Sequence, residues 1–256
     1  MLKFINRAII NSGINVKRFF RVVRALPVFI SDWNKYKKLS NSGSMPLKLK
    51  NVYPILFEKN DAAGDARGAY FAQDVWAARK IYKQNPKRHV DIGSEIRGFI
   101  TSLMAFREEV EAIDIRPLSS SVQGLTFIQD DATQLRQFKD NSLESISTLH
   151  AAEHFGLGRY GDPIDPDAHI KFTQALKRVL VPGGYLYFSV PVGKERVEFN
   201  AQRIFSPDTI FRLFSGLELV SFSGVKDDGN FYPDVEPSQL INEHEGCGMF
   251  EFRKPY

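Results

Sequence analysis

Cysteine and long apolar runs are what this sequence has least of. Cys247 is the single cysteine among 256 residues, which excludes an internal disulfide and fits a reducing compartment. No apolar run approaches the length of about eighteen residues that a membrane-spanning helix requires. The N-terminal residues carry no apolar stretch followed by a small-residue cleavage site. We therefore expect a cytoplasmic protein.

Glycine is also scarce where a phosphate-binding loop would need it. A short apolar strand is predicted to end in Asp91-Ile92-Gly93, but Ser94 and Glu95 follow where a dinucleotide-binding turn would have further glycine. In such a turn the pyrophosphate rests on the N-terminus of the next helix, where the carboxylate of Glu95 would repel it. The strand, the glycine and the helix-like segment after them still predict a cofactor site in a doubly wound sheet.

Acidic residues stand at the ends of the next two predicted strands. The strand at 110–114 ends in Asp114, about twenty residues after the glycine turn, where the ribose hydroxyls of a cofactor would lie. The strand at 125–129 runs into Asp130 and Asp131. S-adenosylmethionine has no phosphate, and it offers a ribose diol and an adenine to Asp114 and Asp131. The sequence therefore favours S-adenosylmethionine over NAD.

Alternating strand and helix patterns predict an α/β fold with a mostly parallel sheet, in which ligands bind at the C-terminal ends of the strands. Ser206 is the predicted N-cap of a helix whose first residue is Pro207. The predicted helices are 66–83, 99–107, 168–180 and 207–214; after the first three strands come strands at 145–149 and 185–190 and a closing antiparallel hairpin, 217–225 with 249–253.

At these positions the chain resembles the class I S-adenosylmethionine-dependent methyltransferases. Residues 149–154, Leu-His-Ala-Ala-Glu-His, are similar to the end of their fourth strand, and residues 180–186, Leu-Val-Pro-Gly-Gly-Tyr-Leu, to the turn before their fifth. The segments 150–166, 189–193 and 196–200 are similar to an uncharacterised methyltransferase-like family, a domain of unknown function often met in bacterial surface-polysaccharide contexts. The resemblance covers residues 50–253 approximately.

The resemblance implies a Rossmann-like fold in residues 51–256, with a mostly parallel seven-stranded sheet, an antiparallel last strand and helices on both faces. It implies S-adenosyl-L-methionine as cofactor and S-adenosyl-L-homocysteine as product. The cofactor-binding residues that it indicates are Asp91, Gly93, Ser94, Asp114, Asp131, Ala132 and His150. His154, His150 and Asp162 are the candidate catalytic residues, because a hydroxyl nucleophile benefits from a positioned base.

Two segments after strand ends are candidates for binding the acceptor. The segment 156–167 is predicted to be a shaped substrate loop, because three glycines and two prolines make it non-helical. In it Arg159 is a candidate clamp for phosphate or carboxylate, with Tyr160 beside it. Arg196 and Asn200, after the fifth strand, are candidate contacts on the other wall of the cleft. The alternatives are a turn-rich connection for the first segment and a charged surface loop for the second.

Two patterns in the sequence resemble metal sites. His150-x-x-Glu153-His154 matches the inverted zinc-protease pattern, but that chemistry needs both histidines on one helix, and His150 is predicted at a strand end. Mg²⁺ is possible on carboxylates of the substrate loop but is not expected, because two prolines intervene between them. Those carboxylates belong to Asp162, Asp165 and Asp167. We expect no metal site.

The basic charge is confined to an N-terminal extension. Residues 1–50 hold eleven Lys or Arg and one acid, Asp32, whereas acids outnumber bases in the rest of the chain. This asymmetry disfavours a nucleic-acid substrate, because an enzyme that binds nucleic acid would carry basic residues around its active cleft. A helix is predicted here, with an apolar face opposite a basic one, which Pro27 kinks or ends, followed by a linker at 41–46. The apolar face comprises Val16, Phe19, Phe20, Val23, Leu26 and Ile30.

Alternatives for the extension and for the function stay open. Residues 1–40 are expected to make peripheral contact with an anionic membrane surface, or else to dock on their own domain or on a second subunit, so that an oligomer is possible. The first functional hypothesis is O-methylation of a sugar, glycan precursor or other small hydroxylated acceptor. The second is a binding or scaffold protein without catalysis in polysaccharide biosynthesis, motivated by the bulky residue Glu95 in the cofactor turn.

Overall fold

A computed structural model describes residues 16–40, 45, 47–56 and 58–256, and residues 16–19 through their backbone alone. The chain divides into two compact units, Met1–Asp65 and Ala66–Tyr256. Each unit is described by itself.

The first unit contains helix α1, Val16–Leu39, which continues through Pro27 instead of ending there. Lys37 and Lys38 occupy its last turn, where cations interact favourably with the helix dipole. Arg21 Nη2 lies 2.7 Å from Asp61 Oδ1, and Lys59 pairs with Asp32. A single 3₁₀ turn follows at Leu49–Asn51. Val16 and Phe19 of the predicted apolar face, and residues 41–44 and 46 of the predicted linker, lie outside what is described of side chains or backbone.

The second unit is built on an eight-stranded sheet. Its strands are β1 (Val90–Ile92), β2 (Val110–Asp114), β3 (Leu125–Gln129), β4 (Leu143–Leu149), β5 (Leu180–Val192), β8 (Glu218–Val225), β9 (Phe231–Tyr232) and β10 (Gly246–Arg253). They lie in the order β3-β2-β1-β4-β5-β10-β8-β9; the first five in this order pair in parallel, whereas β10 is antiparallel to both β5 and β8. A separate antiparallel ribbon joins β6 (Arg196–Glu198) to β7 (Gln202–Ile204).

The mixed sheet confirms a Rossmann-like α/β architecture, but the predicted number of seven strands is wrong. The extra strand, β9, adds two residues to the edge beside β8, a length at which no alternation of apolar and polar residues is visible. The closing antiparallel hairpin is confirmed, because β10 pairs with β8. Its position in the sheet, with β10 between β5 and β8, depends on pairing between segments that are distant in the chain.

Helices cover both faces of the sheet, as expected. One apolar cluster includes Phe172 and Leu176 of helix α4, and the other includes Trp76 and Ile81 of helix α2. The helices of this unit are α2 (Ala69–Gln84), α3 (Thr101–Met104), which continues from a π-helical turn at Ile96–Ile100, α4 (Ala168–Val179) and α5 (Pro207–Leu213). Single 3₁₀ turns occur at Ala152–His154 and Pro237–Leu240.

A local prediction differs from the structure. The Pro-Gly-Gly segment lies inside β5, where the register shifts from Leu143 pairing with Leu180 to Ser145 pairing with Tyr185. Ser206 is the N-cap residue of α5, but its side chain makes no capping hydrogen bond.

Candidate active site

A cavity of about 260 Å³ opens at the C-terminal ends of β1, β2 and β4. This is the edge of a parallel sheet where ligands generally bind. Of the residues predicted from sequence, those lining it are Gly93, Asp114, Asp131, Ala132, His150, His154, Tyr160 and Asp162. The predicted residues that do not line it are Asp91, Ser94, Arg159, Arg196 and Asn200.

The turn after β1 requires glycine for two reasons. Gly93 has a φ of 78°, a conformation that residues with a Cβ rarely adopt. A Cβ added there would lie 2.7 Å from the Cβ of Ala151, which follows β4. The backbone N–H of Gly93 also donates to the carbonyl of Ile113 at 2.8 Å. Gly93 therefore lets three neighbouring strand ends approach one another at the cavity wall.

Asp91 holds this turn together from inside. Its buried carboxylate accepts hydrogen bonds from the Ser94 backbone N–H at 3.1 Å, from Ser94 Oγ at 2.8 Å and from Ser147 Oγ at 2.6 Å. Burial raises the pKa of Asp91 to about 7, although these three donors lower it. Asp91 and Ser94, both predicted to contact the cofactor, are thus bonded to each other behind the turn.

Sequence reasoning missed the histidine that continues this network. His89 is buried, with Nδ1 2.7 Å from Ser145 Oγ and Nε2 2.9 Å from Ser147 Oγ. Because the Ser147 hydroxyl donates to Asp91, it accepts from His89, which places the proton of the neutral imidazole on Nε2. Burial lowers the pKa of His89 to about 3. His89 is therefore uncharged at neutral pH, and a signal for it was absent because its partners lie on another strand.

Further acids surround the outer side of the turn. Burial and the nearby Glu95 raise the pKa of Asp74, on α2, to about 6. Asp74 also raises the pKa of Asp91. The closest cation to Glu95 among the described ion pairs is Arg97, with 3.7 Å between Nη2 and Oε1. An acidic turn of this kind opposes a phosphate and suits a cationic group.

Asp114 lies at the cavity end of β2, but its carboxylate is already engaged. Arg116 donates to Oδ1 from its backbone N–H at 2.8 Å and from Nε at 2.9 Å, and to Oδ2 from Nη2 at 2.5 Å. The same guanidinium lies 4.6 Å from the ring centroid of Tyr160. A diol that binds both oxygens of Asp114 must therefore displace Arg116.

Asp131 and Ala132 form the cavity wall after β3. Asp131 Oδ1 accepts from the Thr133 backbone N–H at 2.9 Å and from the Thr133 hydroxyl. Its own N–H donates to Asp130 Oδ1 at 2.8 Å. Oδ2 of Asp131 has no hydrogen bond to any described residue, so one oxygen of this exposed acid can accept a bond from a ligand.

Two imidazoles and a carboxylate lie together after β4. His150 Nδ1 is 3.3 Å from Glu153 Oε1, and His154 Nε2 is 3.6 Å from the same atom. Glu153 has no exposed surface, and neither oxygen accepts a hydrogen bond from the described residues. On its other side, His150 Nε2 lies 3.3 Å from Cys247 Sγ on β10. We refer to His150, Glu153 and His154 as the imidazole cluster.

The hydrogen bonds of His154 define its tautomer. Its Nδ1 lies 2.7 Å from the carbonyl oxygen of Ala201, which can only accept, so Nδ1 carries a proton. Arg159 Nη1 donates to the same carbonyl at 3.0 Å. Burial lowers the pKa of His154, and neighbouring Arg159 lowers it further, while Glu153 opposes them. The neutral imidazole therefore has an unprotonated Nε2.

His150 has the opposite character. Burial lowers its pKa, but the Cys247 sulfur and the Glu153 carboxylate outweigh this effect, so the pKa of His150 lies above its ordinary value. The residue has a φ of 50°, and its ring lies 5.2 Å from that of Tyr70. His150 is accordingly the cation of the cluster and His154 the neutral base.

Asp162 is used within the loop that was predicted to bind substrate. Its Oδ2 accepts from the N–H groups of Gly156 at 2.7 Å and Gly158 at 3.2 Å, and its Oδ1 accepts from Tyr160 at 3.2 Å. Asp165 accepts from Lys171 Nζ at 2.5 Å. Among the described residues no group of three or more His, Cys, Asp or Glu has an arrangement that could hold a metal ion.

The β6–β7 ribbon reaches the site through residues other than those predicted. Arg196 donates from Nη1 to the His244 carbonyl at 2.8 Å and pairs with Glu198, and Asn200 is exposed. Arg203, which sequence reasoning missed, is buried and donates to the Phe155 carbonyl at 2.6 Å. It also donates to the carbonyls of Glu153 and Pro166, which ties the ribbon to the substrate loop.

Comparison with protein families gives one match. The model of the family described as "Caenorhabditis protein of unknown function, DUF268" matches residues 105–240, more than half of the chain. No curated protein matches the sequence.

Solved structures share the fold at low sequence identity. The N-methyltransferase NodS from Bradyrhizobium japonicum WM9, in complex with S-adenosylhomocysteine, is 12% identical with a TM-score of 0.51, covering 74% of this chain and 89% of that chain. The 1,6-didemethyltoxoflavin-N1-methyltransferase from Burkholderia thailandensis is 14% identical with a TM-score of 0.52, covering 72% and 79%. The [4+2]-cyclase SpnF is 14% identical with a TM-score of 0.51, covering 75% and 86%. The chain therefore has the class I methyltransferase fold.

Proposed function

The chain belongs to the DUF268 family and has the class I methyltransferase fold, and from this premise we propose that it is an S-adenosylmethionine-dependent methyltransferase. Its acceptor is a small hydroxylated molecule such as a sugar or glycan precursor, which is methylated on oxygen. The single cysteine is consistent with action in the reducing cytoplasm, and a polysaccharide pathway is the context that we propose.

The observation that carries this proposal is the pair of acids at the cavity ends of neighbouring strands. Asp114 follows β2 and Asp131 follows β3, and both line the cavity beside the Gly93 turn. Carboxylates accept hydrogen bonds from a ribose diol and from an adenine amino group. The acids around the turn also suit the positive charge of a sulfonium and an α-amino group better than a pyrophosphate.

S-adenosylmethionine, when bound, supplies the electrophilic methyl group. The chain contributes binding and orientation through Asp114, Asp131 and Ala132, and a proton acceptor through the imidazole cluster. His154 Nε2 is the atom that accepts the proton of the acceptor hydroxyl, because His154 lines the cavity and its Nδ1 is held by Ala201.

One observation favours the alternative of a binding or scaffold protein. Arg116 donates three hydrogen bonds to Asp114, so the acid that should hold the ribose is occupied within the chain. If this pair persists in solution, the cavity does not accept the diol. The Arg116 side chain is 48% exposed, so its guanidinium can turn toward solvent when a diol takes its place on Asp114. We therefore prefer the enzyme.

Calorimetric titration with S-adenosylhomocysteine tests the choice. We expect binding to the wild-type protein and a loss of affinity on the order of tenfold to a hundredfold in Asp114→Ala, since at least one charge-assisted hydrogen bond is removed. Asp208→Ala is the matched control, because Asp208 is an exposed acid in the first turn of α5. Equal affinity in Asp114→Ala would exclude this cofactor site, and no binding to the wild-type protein would favour the scaffold.

We also propose that residues 1–40 contact an anionic membrane surface. The exposed side chains of α1 include Val23, Leu26 and Ile30, with 47%, 42% and 55% of their surface exposed. Apolar side chains on a basic helix enter the headgroup boundary while the cations meet anionic lipid. No helix of the described residues is long and apolar enough to cross a membrane.

Flotation with vesicles tests this contact. Full-length protein is expected to float with vesicles containing phosphatidylserine at low salt and to dissociate from them as the salt concentration rises. It should not bind neutral phosphatidylcholine vesicles. Val23→Ser with Ile30→Ser should reduce flotation, whereas a chain lacking residues 1–40 should remain unbound. Equal flotation without residues 1–40 would refute the proposal.

A further inference from the structure

Glu153 is a buried acid at the site, and no hydrogen bond within the described part of the fold explains its position. It is completely buried, and neither carboxylate oxygen receives a hydrogen bond from the described residues. A buried carboxylate without hydrogen bonds is costly, and such groups are normally satisfied by several donors. What approaches it instead is one nitrogen from each of two imidazoles, at 3.3 Å and 3.6 Å. This arrangement indicates that Glu153 influences the charge of the two imidazoles and does not serve to stabilise the turn.

The groups that face the imidazole cluster come from every neighbouring element. Tyr70 on α2 and Cys247 on β10 approach His150, at 5.2 Å between rings and 3.3 Å from Nε2 to sulfur. Asp74 on α2 interacts with His150 through its charge. On the loop after β4, Arg159 Nη1 lies 3.3 Å from His154 Nδ1, and the Tyr160 ring lies 5.4 Å from that of His154. Arg203 on β7 donates to the backbone carbonyl of Glu153.

These contacts leave Glu153 with one possible charge partner at rest. His154 is fixed with its proton on Nδ1, so its Nε2 presents a lone pair and not a proton to the carboxylate. His150, in contrast, has one nitrogen toward the Glu153 carboxylate and the other toward the Cys247 sulfur, and both of these groups are able to accept from a protonated nitrogen. An imidazolium at His150 therefore satisfies every neighbour, whereas an imidazolium at His154 meets Arg159.

We propose that Glu153 is a positioning residue that keeps His150 protonated, and that the charges of His150 and Arg159 in turn keep His154 neutral, so that His154 Nε2 is the proton acceptor in methyl transfer. This inference rests on the proposed function. Glu153 touches neither cofactor nor acceptor and acts through the two imidazoles.

The reaction balances with these groups. The acceptor oxygen forms a bond to the methyl carbon, and the carbon–sulfur bond breaks, its electron pair remaining on the sulfur of S-adenosylhomocysteine. The hydroxyl proton passes to His154 Nε2. The new imidazolium lies next to Glu153, whose charge stabilises it, and the proton is then released to solvent. No oxidant, reductant or further reactant is needed.

Histidine-detected NMR titration tests the charge arrangement without an acceptor molecule. Protein with ¹⁵N-labelled histidine is titrated from pH 5 to pH 9, with His150→Gln and His154→Gln to assign the signals. In the wild-type protein His150 should remain doubly protonated above pH 7, and His154 should be neutral with its proton on Nδ1. In Glu153→Gln the proton affinity of His150 should fall at least tenfold, while His154 keeps its tautomer.

Glu251→Gln is the matched control, because Glu251 is another buried acid, paired at 2.7 Å with Lys80 and remote from the imidazoles along β10. It should leave both titrations unchanged. A structural role for Glu153 would lower the melting temperature of Glu153→Gln without changing the proton affinity of His150. That result, or a neutral His150 at pH 6.5 in the wild-type protein, would overturn the inference.

The same variants separate this inference from the proposed function. Calorimetry with S-adenosylhomocysteine should give an affinity for Glu153→Gln within threefold of the wild-type value, because Glu153 does not line the cavity. Absence of binding to the wild-type protein would refute the proposed function whatever the titration shows. Binding with an unchanged titration in Glu153→Gln would refute the inference alone.

Discussion

Asp91 and Glu153 are two fully buried carboxylates close to the ends of neighbouring parallel strands, β1 and β4. Asp91 accepts three hydrogen bonds from Ser94 and Ser147, whereas Glu153 accepts none from the described residues. The first acid is part of the framework that shapes the cofactor turn. The second has been left without framework bonds and faces only groups that exchange protons. Equal burial thus conceals opposite roles, and the hydrogen-bond partners distinguish them.

The largest expected effect tests the framework role of Asp91. Asp91→Ala leaves three donors around Ser94 and Ser147 without an acceptor, and we expect a loss of about 4 kcal/mol in the free energy of unfolding at pH 5. Urea denaturation monitored by circular dichroism measures it. Asp208→Ala, on the exposed side of α5, should lose less than about 0.5 kcal/mol. A loss for Asp91→Ala as small as that of the control would remove the contrast with Glu153.

The next effect concerns pH. Because burial raises the pKa of Asp91 to about 7, the folded state binds this proton more tightly than the unfolded state does. The stabilising contribution of Asp91 is therefore complete below its unfolded pKa and is lost as the pH rises toward 7. From pH 5 to pH 8 the wild-type protein should lose about 3 kcal/mol relative to Asp91→Asn, which does not titrate. Parallel stability curves for the two proteins would contradict the prediction.

A smaller effect, on ligand affinity, is expected from Arg116, whose side chain donates hydrogen bonds to Asp114. Replacing Arg116, whose side chain is 48% exposed, with Gln frees the largely buried Asp114 carboxylate, and we take about 1 kcal/mol as the gain in binding, the upper value for an exposed pair. We expect S-adenosylhomocysteine to bind Arg116→Gln up to about fivefold more tightly. Calorimetry gives the affinity, and Arg97→Gln serves as a control on another exposed arginine. Weaker binding to Arg116→Gln would mean that Arg116 holds the cofactor and does not compete with it.

The smallest expected effect is the change in stability when Glu153, the second acid of the comparison, is replaced. Glu153→Gln removes a carboxylate that no described residue supports by a hydrogen bond, so the free energy of unfolding should change by no more than about 0.5 kcal/mol at a pH high enough for His150 to be neutral in both proteins. Urea denaturation of Glu153→Gln and Asp91→Ala under identical conditions provides the measurement. A loss of more than about 2 kcal/mol would place Glu153 in the framework together with Asp91.

Much of the fold followed from patterns within short segments. The strands at 110–114 and 125–129 occur with the predicted bounds, since alternating and β-branched residues act over a few positions. The class of sheet and the helices on both faces also followed from the order of elements. The insertion of β10 between β5 and β8 did not, because it depends on pairing between distant segments. Strand β9 did not either, because two residues are too few to show an alternating pattern.

The sequence by itself determined the cavity edge of the sheet, because the strand ends with Gly93, Asp114 and Asp131 are each local signals. Tertiary structure alone decided what the neighbouring polar groups do. Cys247 meets His150 across 97 positions of the chain, and Ala201 meets His154 across 47. Whether a buried group is satisfied, charged or left as a base depends on such contacts, since burial and partners set its pKa. No spacing in the sequence contains that information.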